Sequence, residues 1–113
     1  MSETIELRSH SRVPITCFVD YMGKGLIGTG VTQDFSANGW HIKALKSQPI
    51  KVGMSLALRV HLTNHHIPIE VETAVVQWVK RREFGVHVGG MTSEVETRVR
   101  HFLESVVSLR EAI

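Results

Sequence analysis

Apolar and polar residues alternate with a period of two along most of this chain, and the period lengthens to that of a helix only towards the C-terminus. Val13, Ile15, Cys17 and Val19 fall on one side of an extended segment, opposite Thr16, Phe18 and Asp20, which predicts a first strand from Val13 onwards. Met22 to Gly25, MGKG, reads as a turn. Leu26 to Phe35 reads as a second strand running back, with Gly28 and Gly30 marking bends or a bulge. Trp40, Ile42 and Leu45 begin a third strand, and Lys46 to Gly53, broken by Pro49, is the longest connection. A long hairpin follows. Leu56, Leu58, Val60 and Leu62 alternate within Ser55 to Leu62, and Ile67, Ile69, Val71, Val75, Val76 and Val79 mark the return over Ile67 to Val79. The turn KRRE leads into a last strand, Phe84 to Val88, ended by Gly89 and Gly90.

Six antiparallel strands with short turns predict a mostly β fold, a small six-stranded barrel that is closed or nearly so, because closure removes the exposed edges a short sheet would leave. Beyond Met91 the apolar positions are Val95, Val99, Phe102, Val106, Leu109 and Ile113, widened by Leu103 and Val107, which is the stripe of an amphipathic helix. Ser93 with Glu96 forms a capping-box pattern, and Glu94 and Glu96 suit the positive end of the helix. The helix is expected to cover one open end of the barrel. The alternative is a helix pair across a homodimer, since the spacing continues to the last residue. Met1 to Leu7 has no periodicity, so the organisation expected is a flexible arm over 1–12, a barrel over 13–90 and a helix over 91–113, together one domain.

A length of 113 residues, with 42% hydrophobic and 21% charged, fits one folded soluble domain and excludes wholesale disorder. No apolar run approaches a membrane span and the first ten residues are polar, so no membrane insertion and a cytoplasmic location are expected. Cys17 has no partner for an internal disulfide, and its place in the alternating run makes it a buried thiol. The net charge of +2 is small, so local clusters matter more than the total. These are Arg8 with Arg12, and Lys80-Arg81-Arg82, the second reading as a solvated hairpin turn. His61, His65 and His66 lie in HLTNHHIP, a hairpin loop with no cysteine and no HExxH helix, so neither a metal site nor a cofactor is expected.

Between the second and third strands, VTQDFSANGWHI gathers Asp34, Ser36, Asn38 and Gly39 into a tight corner. Taken alone this is ordinary turn chemistry. Upstream, RSHSR carries Arg8 and Arg12. The order RxxxR then DxSxxG, about twenty residues apart and separated by one hairpin, resembles the PilZ domain family, whose members bind the bacterial second messenger cyclic di-GMP (c-di-GMP) through these two motifs. Trp78 and Phe84-Gly85-Val86-His87-Val88 also look like the family's late strands, so the resemblance covers nearly the whole chain.

The resemblance implies a ligand site of Arg8, Arg12, Asp34, Ser36 and Gly39. Arginine's planar fork suits both a phosphate and the O6/N7 edge of guanine, and its flat face stacks on a base. An ionised Asp34 has only acceptors, matching the N1–H and N2 donors of guanine; Ser36 adds a hydroxyl, and Gly39 admits close approach of the backbone. A flexible arm opposite a rigid corner implies a ligand that draws the arm closed. Leu7, apolar where a cation would help hold a second stacked ligand, points to one ligand per chain. No paired acidic metal ligands stand near the motifs and Ser36 lacks a GxSxG setting, so the reading is a non-enzymatic sensor or adaptor that relays to an unidentified effector protein, in motility, surface attachment and biofilm, exopolysaccharide output or virulence. Two rivals are a PilZ-like interaction module that no longer binds the nucleotide and a nucleic-acid-binding small barrel with Trp40 and Trp78 as stacking platforms. Intact motifs oppose the first. Against the second, the basic and aromatic residues do not share one face, and a strand tryptophan ordinarily belongs to the core.

Overall fold

The strands turn their branched and aromatic residues to one side, and the six apolar faces meet in a single interior. The computed structural model describes residues 16–35, 39–62, 67–89 and 91–112, with backbone alone for residue 35 and residues 106–112. It comprises β1 (Phe18–Gly23), β2 (Leu26–Phe35), β3 (Gly39–Ala44), β4 (Ser55–His61), β5 (Ile69–Lys80), β6 (Glu83–Val88) and α1 (Ser93–Ala112). The strands close in the order β1-β2-β3-β6-β5-β4, every neighbouring pair antiparallel. The expected six-stranded barrel with a C-terminal helix is therefore the fold. Its connectivity is two three-stranded meanders, β1-β2-β3 and β4-β5-β6, joined along two seams, β1/β4 and β3/β6.

So small a barrel has no lumen. Side chains fill it. Val19, Tyr21, Trp40, Ile42, Leu56, Val60, Ile69, Val76 and Phe84 are all buried, and Tyr21 meets Phe84 edge to face with centroids 5.4 Å apart, joining the two meanders across the interior. The segment between β3 and β4 crosses one end, where Ile50 enters the core. Tyr21 Oη donates to Gln48 Oε1, and Gln48 Nε2 donates to the Ile27 carbonyl at 2.7 Å, so one amide pins that crossing to β1 and β2. At the other end lies α1. Val99, Phe102 and Leu103 join the core, while Arg98 donates to the carbonyls of Ile67 and Pro68 ahead of β5.

Several boundaries differ from those the pattern predicts. β1 starts at Phe18; Cys17 is buried just ahead of it, its N–H donating to Thr32 Oγ1 and its carbonyl accepting from Thr32 N–H, each at 2.8 Å. Val13 and Ile15 lie outside the described residues. Met22 and Gly23 continue β1, leaving Lys24 and Gly25 as the turn. Gly28 and Gly30 are not bulges. A Cβ on Gly28 would run into the Tyr21 ring and Gln48, and one on Gly30 into the Lys43 carbonyl, so these glycines allow close approach. Leu45 and Ile67 are exposed and lie outside the strands. The helix is capped one residue earlier than the pattern indicates: Thr92 Oγ1 accepts from Val95 N–H at 3.2 Å, which leaves Ser93 as the first helical residue and no box with Glu96.

Candidate functional site

Strict alternation along β2 would send Asp34 into the barrel, on the side of Gly30 and Thr32. It does not, because the β2/β3 register shifts between Thr32 and Asp34: Thr32 pairs with inward Ile42, and Asp34 with outward-facing His41. The extra residue is Gln33. This bulge turns the Asp34 carboxylate to the outer face, at the point where β2 enters the corner. A second bulge does the same on β5. Val76 pairs with Val86 and Trp78 with Gly85, so Gln77 is the extra residue and Trp78 emerges outward.

His41 stands between the two re-aimed side chains. Its Nδ1 lies 3.7 Å from Asp34 Oδ2 and its Nε2 2.7 Å from Glu83 Oε1, while the Trp78 indole meets the imidazole ring edge to face at 4.9 Å between centroids. The side chains of His41 and Asp34 are 24% and 22% exposed, so this is a half-sheltered surface cluster in which water weakens but does not abolish the polar contacts. Gly85 makes room for it, since a Cβ there would overlap the Trp78 ring. The cluster crosses the β3/β6 seam and presents carboxylate acceptors, an imidazole and an indole edge on one face, with which a planar ring bearing N–H donors could pair.

Of the expected site residues, Asp34 and Gly39 flank the corner. Gly39 opens β3 opposite His87. Arg8, Arg12, Ser36 and the arm over 1–12 lie outside the described residues, as does Leu7. Sequence reasoning missed His41 and Glu83, although Gly39, His41 and Lys43 alternate on the outward face of β3 and mark His41 as a neighbour of the corner. Trp40 is buried in the core, whereas Trp78 is 38% exposed. His61 hydrogen-bonds Asp20 at 3.0 Å on the opposite side of the barrel; His65 and His66 lie outside the described residues. Among the described residues no three His, Cys, Asp or Glu side chains are gathered as metal ligands, and no helix is long and apolar enough to cross a membrane.

A family model described as the PilZ domain matches residues 6–105. Among solved structures, the chain is similar to the Bacillus subtilis inhibitor of motility MotI/DgrA, with a TM-score of 0.73 and 15% identity over 92% of this chain. It spans about half of that protein, 53% of its length. The PilZ domain of CeSA from a cellulose-synthesizing bacterium is also similar, with a TM-score of 0.64 and 21% identity over 88% of this chain and 98% of that domain. No curated protein matches in sequence. The family match covers the barrel and the first part of the helix, and the six-stranded closed barrel agrees with it: the chain belongs to the PilZ domain family.

Proposed function

We propose that this chain is a receptor for cyclic di-GMP that performs no chemistry of its own and relays the bound state to a partner protein. The observation that carries this reading is the placing of Asp34. The Gln33 bulge presents its carboxylate on the outer face beside His41, where its oxygens can accept N1–H and N2–H from one guanine, in a chain whose sequence carries both RxxxR and DxSxxG. Arg8 and Arg12 supply the cations for phosphate and guanine edges, and Ser36 a hydroxyl. A cytoplasmic location and one ligand per chain belong to the same reading. Motility is the process to test first, because a protein of the same fold is an inhibitor of motility.

Calorimetry with free cyclic di-GMP is the test. The parent binds one nucleotide per chain, and Arg8→Ala, Arg12→Ala and Asp34→Ala each weaken binding by about 2 kcal/mol, the worth of a charge-assisted contact. No heat from the parent would leave the domain as an interaction module without the nucleotide. Single-stranded DNA binding as tightly as cyclic di-GMP, with a steep salt dependence, would favour the nucleic-acid reading.

A further inference from the structure

On the side of the barrel away from Asp34, three apolar side chains stand abreast on the solvent face of three adjacent strands. Met22 of β1 pairs with Ile27 of β2 on one side and with Ala57 of β4 on the other. Met22 is 55% and Ile27 76% exposed, at positions where the outer face of a small barrel is ordinarily polar. Phe18, 61% exposed and four residues earlier on β1, extends the apolar row beyond a polar rung in which Asp20 accepts from Thr29 Oγ1 and meets His61 Nε2, each at 3.0 Å.

The three side chains border a groove of about 270 Å³ that spans the β1/β4 seam and reaches β5. That volume falls just under the range of small-molecule pockets, roughly 300–1,000 Å³, and suits an anchoring side chain or two. The rim is acidic. Asp20, Glu70 and Glu72 line it against one cation, Arg59, whose charge is taken up by Glu70 at 3.4 Å. Hydrogen bonding to His61 is the largest influence holding the Asp20 carboxyl below its ordinary value, so it is a full negative charge at neutral pH. An acidic rim around exposed apolar side chains, on a chain whose net charge is +2, is local in origin and complements a partner of the opposite pattern.

We propose that this groove is a docking surface for a cationic partner segment, one in which a leucine- or methionine-type anchor is flanked by lysine or arginine. It rests on the reading above only in taking that segment to belong to the partner that receives the signal. The groove and the corner lie on opposite seams and at different heights: Ile27 and Asp34 are seven positions apart on β2, on the order of 20 Å at about 3.3 Å per residue, so nucleotide and partner can be held together.

The test uses the full chain labelled at the methionine methyl groups and a synthetic amphipathic peptide of leucine and lysine. The peptide is expected to shift the Met22 signal while Met54 and Met91 stay in place. Ile27→Gln and Glu72→Lys should each weaken binding about tenfold, and the same peptide with glutamate for lysine should not bind. Cyclic di-GMP calorimetry on Ile27→Gln should be unchanged, so failure of the docking surface and failure of the nucleotide reading are told apart. An unmoved Met22, equal binding of the glutamate peptide, indifference to Ile27→Gln, or a Met22 shift that follows protein concentration without peptide and so places a second copy in the groove would overturn the proposal.

Discussion

His41 Nε2 lies 2.7 Å from Glu83 Oε1, although the two residues are 42 positions apart in sequence, and this contact ties the first meander to the second beside the corner. His41 also faces Asp34, so whatever orients the imidazole orients the surroundings of the proposed guanine acceptor. Lys43 and Lys80 carry further charge on the same outward face, and His87 stands there with them.

Replacing His41 should therefore affect binding more than folding. A half-exposed imidazole–carboxylate hydrogen bond contributes about 1 kcal/mol to stability, and the edge contact with Trp78 a similar amount. His41→Ala is expected to weaken cyclic di-GMP binding about fivefold, roughly 1 kcal/mol, with Glu83→Gln giving a smaller loss of the same sign. Calorimetry beside thermal melts checks this; an unaltered affinity for His41→Ala would remove the residue from the site.

Gly85 and Trp78 should behave as a coupled pair. A methyl group at Gly85 meets the indole, so Gly85→Ala is expected to cost roughly 1–3 kcal/mol as the ring is forced out. In the Trp78→Ala background the same change should cost little. A double-mutant cycle by urea unfolding gives the coupling, and additive effects would mean that the two do not compete for space.

Arg81, in the turn between β5 and β6, has a φ of 58°, a left-handed conformation that costs a side-chain-bearing residue about 1–2 kcal/mol. Glycine adopts it freely but loses roughly 0.5–1 kcal/mol more entropy on folding. Arg81→Gly should leave stability unchanged or raise it by up to about 1.5 kcal/mol, whereas Arg81→Val should lower it. Equal stability of the two variants would show that the turn stores no strain.

Burial raises the Tyr21 hydroxyl above its ordinary value of 10.0. The unfolded chain then releases this proton first as pH rises, so the contribution is complete below pH 10, declines through the window above it and is lost once pH passes the folded value. Tyr21→Phe should remove this part of the alkaline decline, at the expense of the Gln48 hydrogen bond at neutral pH. Urea midpoints from pH 8 to 11 measure it; parallel curves for parent and variant would contradict the shift.

The strands were legible because alternation is a direct imprint of a two-sided sheet, and Leu26 to Phe35 has the same limits in sequence and structure. The bulges were not. One extra residue leaves no mark in composition, and Gln33 and Gln77 look like any exposed strand residue; yet they alone decide that Asp34 and Trp78 face outward. The glycines misled for a related reason: Gly28 and Gly30 look like breaks in β2, while what they accommodate, Tyr21, Gln48 and Lys43, comes from elsewhere in the chain. His41 and Glu83 could be joined only by knowing that β3 pairs with β6, and strand order is set by how two meanders dock. The motifs behind the proposed ligand were readable because they are local.

The two seams also bear on how the molecule comes into being. Hairpin contacts within each meander are short-range, but Asp20 meets His61 across 41 positions and His41 meets Glu83 across 42, so chain entropy must be surrendered before either seam is rewarded. Contacts within each meander close shorter loops than the seams do, so closing the two seams carries the larger share of the loop entropy. Both the corner cluster and the acidic groove straddle a seam, so neither is assembled on a half-folded chain. On the proposed reading, a chain emerging from the ribosome would therefore be silent towards nucleotide and partner until its barrel has shut, and competence to signal would report completed folding.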